Sequence, residues 1–179
     1  MKDLKSRLST ACKKMKKTNK TVRFICYGAM IAALYTVLTL VSAAFGLSGG
    51  VIQFRISEAL CILGVFTPAA VPGVALGCAI SNLVTGCAVW DIVFGSAASL
   101  AGMLGVRMLR RHPAIAPLPY VAANVIVVPF VLRLVYNAEG TMPYFALTVG
   151  IGEVVCAWVL GVLLHTALRR TGADRFFTL

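Results

Sequence analysis

Residues 24–46 read FICYGAMIAALYTVLTLVSAAFG, an apolar run without a charged side chain, and this stretch decides the class of fold. A helix of about 20 apolar residues spans the hydrocarbon core of a bilayer. The apolar region of a cleaved signal peptide is usually shorter, and other apolar runs follow this one along the chain. The stretch therefore predicts the first of several transmembrane helices.

The overall composition supports an integral membrane protein. Hydrophobic residues make up 59% of the 179 residues and charged residues only 13%, whereas soluble domains carry about 25% charged residues. These proportions exclude a disordered chain, a coiled coil and most water-soluble enzymes.

Basic residues lie mainly in short clusters beside the apolar runs. The chain has 17 Lys and Arg against 6 Asp and Glu, a formal net charge of +11, and residues 1–20 contain eight of the basic residues. Such clusters are typical of the cytoplasmic side of a membrane protein. We expect residues 1–22 to form a flexible cytoplasmic tail that contacts anionic lipid. Nucleic-acid binding is not expected, because no aromatic residues interleave these charges.

The segment from Val51 to Gly86 is predicted to form two spans. As one helix its 36 residues would be about 54 Å long, too much for a hydrocarbon core of about 30 Å. Pro68 and Pro72 favour a turn in its middle. Two spans here also place the later arginines near residue 110 on the side of the basic tail, as the positive-inside rule requires.

The whole chain is then predicted to be an all-α integral membrane protein with six transmembrane helices and both termini in the cytoplasm. The last three spans are expected over 91–108, 117–136 and 143–168. The membrane domain would cover 23–170, followed by a short cytoplasmic tail over 171–179.

In this topology, polar residues within and beside the spans gather in the outer half of the bundle. Charged groups are costly in lipid and usually face a bundle interior or a cavity, so a site that opens outward is the simplest arrangement. The predicted substrate-binding residues are Gln53, Arg55, Glu58, Asn82, Trp90, Asp91 and Glu153. The case is strongest for Glu153, which lies ten residues into the last span among small and apolar neighbours.

Most of these residues also have a structural interpretation. Arg55 and Glu58 could form an ion pair between positions i and i+3 of a helix. Asp91 could cap the span that it begins, and Trp90 could belong to the interfacial aromatic belt. Asn82 could join two helices by a hydrogen bond.

The sequence gives little support to an enzyme. It lacks a GxxxxGK[ST] phosphate loop and an HExxH pair, and Ser96 and Ser99 lie in an apolar helix without an evident His base. The six cysteines show neither CxxC nor zinc-like spacing, which predicts small apolar residues rather than disulfides or metal ligands. We expect no catalysis, metal or cofactor. Six spans are few for a secondary transporter built from two internal repeats. The small number of spans therefore favours a substrate-capturing subunit that depends on an energy-supplying partner.

Several segments of the chain resemble the QueT family, whose members are substrate-binding (S) components of energy-coupling factor (ECF) transporters. They are VIQFRISEAL at 51–60, FTPAAVPG at 66–73, GCAISNL at 77–83, the pair at 90–91 with FGS at 94–96, and the Gly-Glu pair at 152–153. The resemblance covers residues 24–168.

The resemblance implies an S-component-like bundle in a bacterial plasma membrane. It implies assembly with a transmembrane coupling subunit and two cytoplasmic ATPase subunits, which hydrolyse ATP and topple the S component. Small residues on the first helix would contact the coupling subunit, and Gly28, Ala29, Ala32 and Ala33 match that pattern. The implied substrate is a queuosine precursor, a 7-deazaguanine base, and the glycine-rich connector at 46–50 would act as a lid.

The residue chemistry is compatible with such a base. A guanine-like edge offers adjacent N–H donors, which one carboxylate can accept together. Glu58, Asp91 and Glu153 are the candidate carboxylates, and a second of them could neutralise an aminomethyl cation. Trp90 could stack on the base.

Two other interpretations stay open from the sequence. Arg55 and Arg133 would suit an anionic ligand, as in an S component for another vitamin, although Arg133 could instead reach the outer headgroups. The second is a structural membrane protein without a transport role, whose charges only pair internally.

Overall fold

The computed structural model describes residues 2–47, 54–137 and 140–177, and every regular element within them is helical. The all-α prediction is therefore confirmed for these residues. In chain order the helices are α1 (Lys2–Ala44), α2 (Ile56–Phe66), α3 (Ala70–Val84), α4 (Val89–Met108), α5 (Leu118–Leu134), α6 (Met142–Thr171) and α7 (Asp174–Phe177).

Within the described ranges, three segments are long and apolar enough to cross a membrane, namely Thr18–Ala44 of α1, all of α4 and all of α6. The apolar helices α2, α3 and α5 are shorter. Thr67, Pro68 and Ala69 separate α2 from α3, so the turn predicted from the two prolines occurs, and it lies at the first of them. Pro72 lies in the first turn of α3, where a missing N–H costs no helical hydrogen bond.

Helix α1 begins at Lys2 and runs without interruption into the first apolar stretch. Residues 1–22 are predicted to be flexible, but the described part of this segment is helical. The reason is local, because residues 2–27 contain no glycine or proline and are rich in Lys, Arg and Leu, which favour helix.

The helices form a closed ring in which each contacts the next, in the order α1, α3, α4, α5, α6, α2 and back to α1. Glycines allow the closest approaches. A Cβ atom built on Gly73 of α3 would lie 2.8 Å from the carbonyl oxygen of Gly28, and one built on Gly77 would lie 2.9 Å from the carbonyl oxygen of Ala32. Small residues at such spacing let two helix backbones pack tightly within a membrane.

The four small residues predicted to contact a coupling subunit therefore divide into two pairs. Gly28 and Ala32 are buried against α3 within this chain, whereas Ala29 and Ala33 are exposed. The exposed pair alone is available to another protein, because residues one position apart on a helix point in different directions.

Candidate substrate-binding site

A cavity of about 230 Å³ lies inside the ring, between α2, α3, α4, α5 and α6. Its polar and charged lining residues are Arg55, Glu58, Asp91, Ser99, Asn124, Tyr136 and Glu153. Pockets for drug-sized ligands measure about 300–1,000 Å³, so this cavity suits a smaller molecule.

The cavity is elongated along α4. Asp91, Gly95 and Ser99 line it from one face of that helix, at intervals of four residues. With a rise of 1.5 Å per residue, Asp91 and Ser99 are about 12 Å apart along the helix axis. We call the part of the cavity beside Asp91 the Asp91 end.

The carboxylate of Glu58 is held on both sides by phenols. Tyr35 donates a hydrogen bond of 2.8 Å to Oε1, and Tyr120 donates one to Oε2. Both tyrosines are fully buried and Glu58 is 5% exposed. The ion pair considered for Glu58 and Arg55 does not occur within the 4 Å limit for such pairs in the described part of the chain. Glu58 thus braces α1, α2 and α5, and each of its oxygens already accepts one hydrogen bond.

Arg55 precedes α2 and is held by an amide. Its Nη1 donates to Oδ1 of Asn82 over 3.3 Å. Asn82 is 1% exposed and is not among the residues that line the cavity, so it acts through Arg55. The Nε of Arg55 is buried and has no hydrogen-bond partner among the described residues. The cavity therefore contains an unused donor.

The carboxylate of Glu153 provides an unused acceptor. Glu153 is 9% exposed, and its Oε2 is buried without a hydrogen-bond partner in the described residues. The side chain of Asn124 lies within hydrogen-bonding reach of the same carboxyl group. A π-helical turn, Val154–Val159, follows directly, and such turns frequently occur at functional sites.

The Asp91 end is bridged by Tyr136, which lies two residues beyond α5. The Tyr136 hydroxyl donates to Oδ2 of Asp91 over 3.0 Å and accepts the backbone N–H of Ala88 over 3.1 Å. One phenol thereby joins the end of α5 to the beginning of α4 and fixes the rotation of the Asp91 carboxylate.

Trp90 lies away from the cavity. Its side chain is 60% exposed and stacks on Phe94 with 5.9 Å between the ring centroids. Both rings line a separate apolar groove with Phe130. This position fits the interfacial interpretation of Trp90 better than stacking on a ligand in the cavity.

Some predicted features fall outside the described residues. They are Gln53 and residues 48–50 of the connector predicted to be a lid. Arg133 is described, is exposed and does not line the cavity.

The sequence patterns do not predict Tyr35, Tyr120 or Tyr136 as site residues. The sequence does contain one indication of their role, because a buried tyrosine hydroxyl usually requires a hydrogen-bond partner. Tyr35 and Tyr120 both lie in apolar helices, so each indicates a polar group at the same depth. Which group that is depends on packing between helices distant in sequence.

The arrangement is suited to binding a small polar molecule. The described residues contain no group of three or more His, Cys, Asp or Glu side chains that could hold a metal ion. What the cavity offers is one unused acceptor on Glu153, one unused donor on Arg55 and a further carboxylate on Asp91. Such groups recognise a small polar molecule with complementary donors and acceptors.

Comparison with known proteins agrees with this interpretation. No curated protein and no solved structure shows significant similarity to the chain. A family model described as QueT transporter matches residues 25–170, which confirms the resemblance found in the sequence. The chain therefore belongs to the QueT transporter family, as a membrane protein with a transport role rather than an enzyme.

Proposed function

We propose that this protein is the substrate-capturing S component of an ECF-type importer, and that it binds a queuosine precursor, a 7-deazaguanine base, in the cavity. The observation that carries the proposal is the buried Oε2 of Glu153, which has no partner among the described residues. A buried polar group without a partner costs about 1–3 kcal/mol, so a ligand that satisfies it is strongly favoured.

Recognition of the base requires an acceptor and a donor, and two residues supply them. The adjacent N–H groups of a guanine-like edge donate to the Glu153 carboxylate, and the neighbouring carbonyl accepts from Nε of Arg55. Asn82 supports this role by holding Nη1 of the same guanidinium. Because both oxygens of Glu58 already accept from tyrosines, Glu153 is the better candidate for the base.

The proposal includes six spans in the bacterial plasma membrane, with both termini in the cytoplasm. The three shorter helices α2, α3 and α5 would cross alongside α1, α4 and α6. Alternating directions then bring the basic N-terminal segment and the arginines at 107, 110 and 111 to the same side, in agreement with the positive-inside rule.

Import would require a transmembrane coupling subunit and two cytoplasmic ATPase subunits. Ala29 and Ala33 support a contact with the coupling subunit, since they are exposed and four residues apart on one face of α1. Gly28 and Ala32 would act indirectly, by fixing α1 against α3.

An anionic vitamin is the second candidate ligand, favoured by the unused Nε of Arg55. The cavity argues against it, because one guanidinium faces three carboxylates, those of Glu58, Asp91 and Glu153. An anion would find a single cationic side chain, that of Arg55, among the described lining residues.

A thermal-shift measurement on the full chain in detergent tests the proposal. The panel contains 7-deazaguanine bases, guanine and anionic vitamins. A ligand at 100 times its Kd stabilises the folded state by about 2.7 kcal/mol and raises Tm. We expect a shift with 7-deazaguanines. A shift with an anionic vitamin alone would show that the vitamin, and not a 7-deazaguanine, is the substrate. No shift with any compound would refute the proposal that the protein is a substrate-capturing subunit.

A further inference from the structure

A second concave surface, the apolar groove lined by Trp90 and Phe94, lies on the outside of the ring between α4 and α5. It has a volume of about 550 Å³, and all of its lining side chains are apolar. Trp90 and Phe94 form one wall by stacking. Ile126, Phe130 and Leu134 belong to the other wall and are between 53% and 73% exposed. An exposed apolar patch of this kind marks contact with another apolar molecule.

The apolar groove has the length of an extended hydrocarbon chain in one leaflet. Its lining on α5 runs from Ile126 to Val135, a distance of about 13 Å at 1.5 Å per residue. One half of a hydrocarbon core of about 30 Å is about 15 Å deep. If α5 crosses the membrane, the groove therefore follows an acyl chain through most of one leaflet.

A cationic side chain stands at one end of the groove. Arg133 lies in the last turn of α5, three residues after Phe130 and seven after Ile126, and so shares the groove-lining face of that helix. Its side chain is exposed, and within the described part of the chain no carboxylate oxygen lies within 4 Å of it. A guanidinium binds a phosphate group well, because its N–H groups can donate to two oxygens at once.

Trp90 lies at the same end of the groove as Arg133. The hydrogen bond from the backbone N–H of Ala88 to the Tyr136 hydroxyl holds the beginning of α4 against the end of α5. Tryptophan is enriched where the hydrocarbon core meets the headgroups. The end of the groove that carries the cation therefore lies at headgroup depth, and the apolar remainder extends into the core.

The position of the groove in the ring favours a lipid over the coupling subunit. The contact proposed for that subunit is on α1, which packs against α2 and α3, whereas the groove lies between α4 and α5. The assembled importer would therefore leave the groove facing the membrane.

We propose that the apolar groove binds an anionic phospholipid, with one acyl chain along α5 and the headgroup phosphate on Arg133. In the proposed topology this lipid belongs to the outer leaflet. The site goes beyond substrate capture and does not depend on which substrate is captured. Val131 is 4% exposed and lines both the groove and the substrate cavity, so the bound chain supports the wall of that cavity from outside.

Quenching of Trp90 fluorescence by brominated lipids tests the proposal at the groove itself. The chain has two tryptophans, and Trp158→Phe leaves Trp90 as the single reporter. The full chain is reconstituted in phosphatidylcholine vesicles that contain increasing fractions of phosphatidylglycerol or phosphatidylcholine with brominated acyl chains. A basic side chain near an anionic headgroup contributes about 1 kcal/mol, which is about fivefold in affinity. We expect phosphatidylglycerol to bind beside Trp90 about fivefold more tightly than phosphatidylcholine.

Variants of the cation separate a specific site from general attraction to a basic protein. Arg133→Gln should reduce the preference to about one, and Arg133→Lys should keep most of it. Arg111→Gln is the matched control, because Arg111 is also exposed but lies in the loop between α4 and α5, at the other end of both helices. It should leave the preference intact. If Trp158→Phe fails to fold, the difference in quenching between the wild type and Trp90→Phe gives the same signal.

Two results would overturn the proposal. One is equal binding of the two lipids beside Trp90, or a preference that persists in Arg133→Gln. The other is an absence of quenching by either brominated lipid, since a protein or a second copy of the chain would then cover the groove. Neither result involves a 7-deazaguanine, so the proposed function is tested separately.

Discussion

Replacing Tyr120 by phenylalanine removes one of the two hydroxyl groups that hold the Glu58 carboxylate. The change keeps the ring and the volume of the side chain, so the lost contact is the hydrogen bond to Oε2. Glu58 is 5% exposed and Tyr120 is fully buried, so water cannot easily replace the donor. The freed oxygen is then left unsatisfied inside the protein.

The expected cost follows from the charge and burial of the acceptor. A hydrogen bond to a charged group contributes about 1.5–3 kcal/mol to stability. For a chain of 150–250 residues, each kcal/mol lowers Tm by about 2–4 °C. Tyr120→Phe should therefore lower Tm by about 3–12 °C, and Tyr35→Phe should have a comparable effect because it removes the other donor.

Thermal unfolding of the purified chain in detergent measures this effect, with Tyr144→Phe as the matched control. Tyr144 is 44% exposed, and surface substitutions usually change stability by about 0.5 kcal/mol or less. A Tyr120→Phe protein as stable as the control would refute the assignment of Glu58 as a brace held by two phenols.

Three further predictions concern other parts of the molecule. Asn82→Ala should weaken binding of a 7-deazaguanine about fivefold, because the Arg55 guanidinium loses the hydrogen bond of about 1 kcal/mol that positions it. An unchanged Kd would show that Asn82 does not position Arg55 for binding. Gly77→Ala should destabilise the protein by about 1–3 kcal/mol, because its Cβ would lie 2.7 Å from a tyrosine Cβ of α1. Gly150→Ala is the control, since its Cβ would meet the nearest atom at 3.6 Å. It should leave the stability measured by thermal unfolding nearly unchanged. Ala29→Leu should prevent co-purification with a coupling subunit and abolish uptake while ligand binding persists, and an intact complex would contradict the α1 contact.

Much of the helical organisation is predictable because it depends on local composition. The apolar run at 24–46 predicts the membrane-spanning part of α1. The prolines at positions 68 and 72 predict a break between α2 and α3. Glu153 is predictable as a cavity-lining residue, because a carboxylate in an apolar transmembrane helix usually faces a bundle interior or a cavity. These features require no knowledge of which helices are neighbours.

The remaining features depend on contacts between distant segments. Glu58 is a candidate carboxylate in the sequence, as Glu153 is, and only the packing of α1 and α5 shows that Tyr35 and Tyr120 donate to its oxygens. The bridge from Tyr136 to Asp91 joins residues 45 positions apart. The aromatic character of Trp90 predicts a stacking role, but the direction that its side chain faces is set by the rotation of α4.

The most direct test of the account is the affinity of wild type and Glu153→Gln for a 7-deazaguanine base, measured by calorimetry on proteins of equal Tm. The substitution keeps the shape of the side chain but removes its charge and replaces one acceptor oxygen by a donor. We predict that affinity falls by about 10- to 100-fold, the range expected for a hydrogen bond to a charged group. An unchanged Kd would remove Glu153 from the binding site and contradict the central claim.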